Sequence, residues 1–269
     1  MKKIIFFALL LWVNCSYAQN LTGVVKDAAT NENLPYVNIG IAHKGIGTVT
    51  NNDGNFKLGL NNNDADSLKI SMLGYLPQSF SIAELKKHVG LLTVLLVPGK
   101  IQLNEVKISN PKLKQSILGN TTKSKTVNAG FTTSDLGNEI GEIIKIKKSP
   151  TYLKQFNAAI NVNTEDSVKL RLNIYGVKNG LPDKNILQQN IFVTVKKGDD
   201  HITIDLNPYH IAVDDNFFVS LEWIQKTPGH GLMFSASLLG SAIIARETSQ
   251  ANWEKVGLAG VGFNVLAAY

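Results

Sequence analysis

The run Asn51-Asn52-Asp53-Gly54-Asn55-Phe56-Lys57-Leu58-Gly59-Leu60 decides the fold class. Phe56, Leu58 and Leu60 alternate with Lys57 and Gly59, and a period of two puts apolar side chains on one face of a strand. Asp53-Gly54, just ahead of them, supplies a tight reversal in which glycine takes the positive φ that a Cβ would penalise. A reversal feeding an alternating strand is the repeating unit of an antiparallel sheet, and the neighbouring sequence repeats it.

Upstream, Val37, Ile39 and Ile41 alternate with Asn38, Gly40 and Ala42, and Pro35 stands where a strand opens and a missing N–H is tolerated. Downstream, Leu68, Ile70 and Met72 alternate with Lys69 and Ser71. Thr30-Asn31-Glu32-Asn33 and Asn61 to Asp66 supply turns between the runs. Residues 82–88 read as one helical turn, and strands resume at Leu91 to Val97 and Glu105 to Ile108. Short strands with turns about every ten residues predict a sandwich, not a βαβ or helical fold.

Residues 110–137 are rich in Asn, Thr, Ser, Lys and Gly and keep neither period, so they read as a linker. Alternation then returns. Ile160 and Val162, then Leu170, Leu172 and Ile174, then Ile191, Val193 and Val195 mark successive strands. Ile202, Ile204 and Leu206 mark another, and Phe217, Val219, Leu221 and Trp223 a fifth, with Glu222 on its opposite face. The closing stretch from Gly257 to Tyr269 is apolar enough to be covered on both sides. Eight or so strands over residues 138–269 predict a jelly-roll-like β-sandwich.

At the N-terminus, Lys2 and Lys3 precede the apolar run Ile4 to Val13 and the small residues Ser16 and Ala18. This is the pattern of a secretory signal peptide over residues 1–18, and it predicts export to the periplasm or cell surface. Cys15 is the single cysteine, and Trp12 and Asn14 before it fit a lipidation site poorly. Cleavage after Ala18 would leave no cysteine for a disulfide. No later stretch is long and apolar enough for a transmembrane helix. The net charge of +6 is spread along the chain rather than gathered on one element, which argues against nucleic acid as a partner.

Residues 21–108 resemble the carboxypeptidase-like regulatory domain family, widespread in envelope proteins of Bacteroidetes. The matching pieces are Gly23-Val24-Val25-Lys26-Asp27, Leu34-Pro35-Tyr36-Val37-Asn38-Ile39, Gly47-Thr48 and Asn52-Asp53-Gly54-Asn55-Phe56. Leu68-Lys69-Ile70-Ser71, Gly74-Tyr75 and Leu103-Asn104-Glu105-Val106 follow in order. The resemblance implies a seven-stranded sandwich of the transthyretin type over residues 19–109, without catalytic residues. It also implies an envelope or outer-membrane partner, such as a TonB-dependent receptor or a secretion component. The second half is similar in texture to the C-terminal regions of other Bacteroidetes proteins, a likeness that carries no activity.

The sequence offers little for catalysis. His43, His88, His201, His210 and His230 lack the paired spacing of a zinc site. Gly-x-Ser-x-Gly does not occur, and Ser109-Asn110-Pro111-Lys112 matches Ser-x-x-Lys only with a proline in the required helical turn. Asp64 and Asp66 are too few carboxylates for a calcium loop. The expectation is a non-catalytic protein without cofactor or metal, which binds or scaffolds another envelope protein. The alternative is a carbohydrate-binding accessory protein whose second sandwich reads a glycan. Trp253, Arg246, Asn252 and Tyr209 are the candidate ligand-binding residues.

Overall fold

The computed structural model describes residues 19–60, 64–99, 113–229, 231–238, 240–257 and 259–269. The expected signal peptide, the strand at 105–108, Ser109 to Lys112 and His230 lie outside the described residues.

Among the described residues, the first sandwich has seven strands. β1 (Gln19–Asp27), β4 (Asn55–Leu60) and β7 (Leu92–Leu96) form one sheet in the order β4-β1-β7. β2 (Asn38–Ile41), β3 (Ile46–Val49), β5 (Ser67–Ser71) and β6 (Gln78–Ser81) form the other, in the order β3-β2-β5-β6. The alternation works as expected: Phe56, Leu58 and Leu60 meet Val37, Ile39, Ile41, Leu68 and Ile70 in one core. Gly54 takes φ +72° at the reversal. The expected helical turn is α1 (Ile82–Leu85), which sinks Ile82 and Leu85 into the same core. Pro35 lies in a turn ahead of β2 rather than in the strand.

The second sandwich also has two sheets. One contains β10 (Glu139–Ile144), β12 (Ser167–Lys178), β13 (Leu181–Asn185), β14 (Ile191–Lys196), β17 (Phe217–Trp223), β19 (Ile243–Arg246) and β20 (Glu254–Val256). Its order is β13-β12-β17-β10-β19-β20, with β14 also on β12. The facing sheet is built on the long β11 (Thr151–Asn163), which pairs with β15 (His201–Asp205), β18 (Leu232–Leu238) and the final β22 (Phe263–Ala268). Two short strands join it, β16 (Ala212–Val213) on β11 and β21 (Ala259–Val261) on β18. Trp223, Phe156, Phe234 and Phe263 fill the core between the sheets. Among the described residues, no helix is long and apolar enough to cross a membrane.

The linker expectation is corrected for the part that is described. Residues 113–137 contain β8 (Gln115–Gly119), paired with β22, and β9 (Asn128–Phe131), paired with β18. Both belong to the second sandwich. Each carries one fully buried apolar residue, Leu118 and Phe131, which is too little to register as a period. The polar residues between them bond locally: Asn120 Oδ1 accepts from Thr122 N–H at 3.1 Å, and Thr122 Oγ1 from Ser124 N–H at 3.3 Å. Such side-chain turns replace ladder bonds in a short connection.

β17 is buried at every position. Phe217, Val219, Leu221 and Trp223 face the core, so something must also cover Phe218, Ser220 and Glu222 on the outer face. Two things do: the first sandwich and the loop 247–253.

Candidate functional site at the seam between the sandwiches

Register builds the seam. Across β12, β17, β10 and β19 the direct partners are Arg171 with Glu222, Glu222 with Glu139, and Glu139 with Arg246. Four charges therefore stand in one lateral row on the outer face, in the sign order plus, minus, minus, plus. Like charges directly opposite one another destabilise a sheet. Here each carboxylate has its own arginine: Arg171 Nη2 lies 2.8 Å from Glu222, and Arg246 Nη2 lies 2.6 Å from Glu139. Asn173 Nδ2 donates to both carboxylates, at 2.9 Å to Glu139 and 2.8 Å to Glu222. Ser220 and Tyr175 also donate to Glu139. Burial pushes the Glu139 carboxyl upward, against the opposing pull of Arg246. Tyr175, buried and facing that carboxylate, is held well above the ordinary phenol range.

The first sandwich closes over one end of this row. Arg171 Nη1 donates to the Tyr36 carbonyl at 2.8 Å, and Nη2 donates to Asn38 Oδ1. Lys169 Nζ donates to the Tyr36 hydroxyl at 3.0 Å, and the Tyr36 ring packs 5.2 Å from Phe192. Tyr36, Val49 and Ile224 form a small apolar cluster bridging the two bodies.

The loop 247–253 fills the other end. Gly40 and Gly47 face each other across β2 and β3, and a Cβ on either would stand 2.3 Å from the Ser249 carbonyl oxygen. A Cβ on Gly137 would stand 2.3 Å from Ser249 N on the opposite side. Ser249 is thus seated in a slot that only glycines leave open. Gln250 carbonyl accepts from His43 N–H at 3.0 Å, and Gln250 Nε2 donates to Ser71 Oγ at 3.1 Å. Tyr36, His43 and Gln250 all take left-handed φ values of 60–66°. Non-glycine residues hold that conformation where their surroundings impose it.

Beside the slot lies a pocket of about 360 Å³ whose walls come from both sandwiches, among them His43, Lys44, Asn138, Arg246, Glu247 and Asn252. His43 Nδ1 and Asn252 Oδ1 are hydrogen-bonded to each other at 2.5 Å in its wall. A larger groove of about 1100 Å³ lies elsewhere on the second sandwich, lined by Tyr209, His210, Gln188, Gln189, Asp214 and Asp215.

Of the four candidate residues, the fold brings Arg246, Asn252 and Trp253 together and leaves Tyr209 in the separate groove. Trp253 is half-buried. Its ring meets Tyr175 at 5.7 Å and Phe218 at 5.2 Å, and the Arg246 guanidinium stacks on it at 4.6 Å. It braces the arginine rather than offering an open stacking face. The sequence reading missed Arg171, Glu139, Glu222 and the glycine slot. The available signal was Tyr175 and Phe218, large aromatics on the faces of β12 and β17 that alternation assigned to solvent.

Asp64 and Asp66, weighed as calcium ligands, lie beside Lys86 at 2.6 Å and Lys44 at 3.7 Å. Among the described residues, no group of three His, Cys, Asp or Glu side chains is placed to hold a metal ion.

Residues 21–108 match the CarboxypepD_reg-like domain family, so the first sandwich is a domain of that type, regulatory rather than catalytic. No curated protein is significantly similar to the chain.

Proposed function

We propose that this CarboxypepD_reg-like sandwich and the sandwich it is docked on act together as an exported, non-catalytic binding protein that contacts another protein of the cell envelope. The observation that carries this reading is an apolar patch on the first sandwich. Leu95 in β7 and Val97 just past its end, at alternate positions, are each 47% exposed, and Leu91 just before the strand is 59% exposed. Leu76 is 56% exposed and lies beside them, its N–H donating to the Val97 carbonyl at 2.9 Å. Clustered exposed apolar side chains on a soluble surface mark contact sites. The seam supports the same reading, because a fixed pair of domains presents a patch in one orientation and loses less freedom on binding.

The test is a photo-crosslinking residue placed at Leu95, with a second at Lys57 as control, in cells that make the protein. A discrete adduct with one envelope protein from Leu95 alone supports the proposal; equal labelling from both positions, or none, overturns it. The purified protein is expected to hydrolyse no peptide, with or without added zinc.

A second reading, a carbohydrate-binding accessory protein, is favoured by the seam pocket, where Arg246 and Asn252 stand with other planar polar side chains.

A further inference from the structure

We infer that the seam pocket binds an uncharged saccharide unit held jointly by the two sandwiches. This rests on the carbohydrate reading and gives it a site different from an exposed tryptophan.

The chemistry of the walls selects the ligand. Arg246 is paired with Glu139 beneath it and Lys44 lies 3.7 Å from Asp66, so the Glu247 and Glu254 carboxylates leave the walls acidic. An anionic ligand finds no free counter-charge there, whereas a hydroxyl can donate to either carboxylate. The apolar wall residues Ala245, Ala251 and Val256 are small, so a lipid or aromatic ligand would find little to pack against. What remains is a dense set of donors and acceptors on planar groups: the amides of Asn138 and Asn252, the Glu247 and Glu254 carboxylates, the Arg246 guanidinium and the His43 ring. Vicinal hydroxyls, each both donor and acceptor, match such a set. The volume of about 360 Å³ falls at the small end of ligand pockets, and a domain boundary is a preferred place for one.

Part of the wall is also held in place. The Arg246 side chain is 9% exposed, fixed by Glu139 and by the Trp253 ring against its guanidinium. His43 is pinned through its backbone to Gln250 and through its ring to Asn252. Side chains that are already locked lose little entropy when a ligand binds. Because His43 and Lys44 come from the first sandwich and the other polar groups from the second, the bound sugar would tie the two bodies more tightly.

The experiment is a glycan array of neutral hexose and N-acetylhexosamine oligosaccharides together with uronic-acid oligosaccharides, followed by calorimetry on the best neutral hit. Binding to neutral glycans is expected, weakened tenfold or more by Asn252→Ala and by Glu247→Gln. Glu247 is exposed, so its substitution leaves the thermal transition in place and keeps the result interpretable. Binding that survives both substitutions but is lost in Tyr209→Ala would move the site to the groove, sinking this proposal while the carbohydrate reading stands. Hits confined to uronic acids would overturn the ligand class, and an array without hits would overturn both.

Discussion

The Arg171 guanidinium, on the second sandwich, donates to the backbone carbonyl of Tyr36, on the first, at 2.8 Å, while its other nitrogens hold Glu222. One buried cation thus serves two purposes: it neutralises a carboxylate inside its own sheet and satisfies a main-chain acceptor of the neighbouring domain. Removing one member of a buried ion pair strands the other, which costs about 3–5 kcal/mol. Arg171→Met should therefore lower unfolding stability by about that amount. Because the contact to Tyr36 is lost as well, the seam should loosen, seen as a larger radius of gyration in solution scattering. A variant with native stability and native dimensions would mean that Arg171 holds neither Glu222 nor Tyr36 in solution.

The Ser249 slot gives a test of docking that spares both cores. In Gly47→Ala the new Cβ would meet the Ser249 carbonyl oxygen at 2.3 Å, and the Gly47 side of β3 faces away from the first core. Strain of this kind costs about 1–3 kcal/mol, relieved here by displacing the loop 247–253. Protease cleavage within that loop should speed up while the first sandwich stays folded. Unchanged cleavage would show that the slot tolerates a methyl group.

Much of this fold is readable from the sequence, and what escapes has a physical reason. Alternation marks a strand when one face is apolar and the other polar, so Phe56-Lys57-Leu58 and Leu170-Arg171-Leu172 declare themselves. Alternation cannot say whether the polar face meets water or another domain, and Arg171 and Glu222 look like surface residues by that rule. β8 and β9 fail the rule for the opposite reason: with one buried apolar residue each, they draw their order from strands distant in sequence. Gly40 and Gly47 carry no pattern either, because what makes them necessary is the backbone at Ser249, some two hundred residues on. Arg246, Asn252 and Trp253 could be chosen as a group because they are close in sequence, whereas their partner His43 belongs to the other sandwich.

Gly54, by contrast, is a residue whose role is local. Its φ of +72° and the Val25 carbonyl oxygen, which would stand 2.8 Å from an added Cβ, both exclude a side chain. Gly54→Val should destabilise the first sandwich by at least about 1–2 kcal/mol, the left-handed conformation alone accounting for that much. A melting curve of the variant that overlays the native one would contradict this assignment.

Glu142 gives a prediction in pH. It lies on the inner face of β10 between Ile140 and Ile144, where Oε1 accepts from Asn120 N–H at 3.2 Å and Oε2 has no hydrogen-bond partner. Burial pushes its carboxyl up to about 8, with the Asn120 N–H pulling weakly the other way, against an ordinary value of 4.5. Between those two values the folded protein keeps a proton that the unfolded chain has released. Stability from this group is therefore greatest below pH 4.5, falls as pH rises towards 8, and is level beyond. Glu142→Gln removes the titration and keeps the shape. The variant should match the native protein near pH 4.5 and exceed it by roughly 2–4 kcal/mol at pH 8, because each pH unit crossed between the two values weakens the native fold by at most about 1.4 kcal/mol. Denaturant unfolding of both proteins at the two pH values measures this difference directly, and other titrating groups cancel in the comparison. A constant difference at both pH values would mean that Glu142 is ionised in the folded protein and has found a partner for its second oxygen.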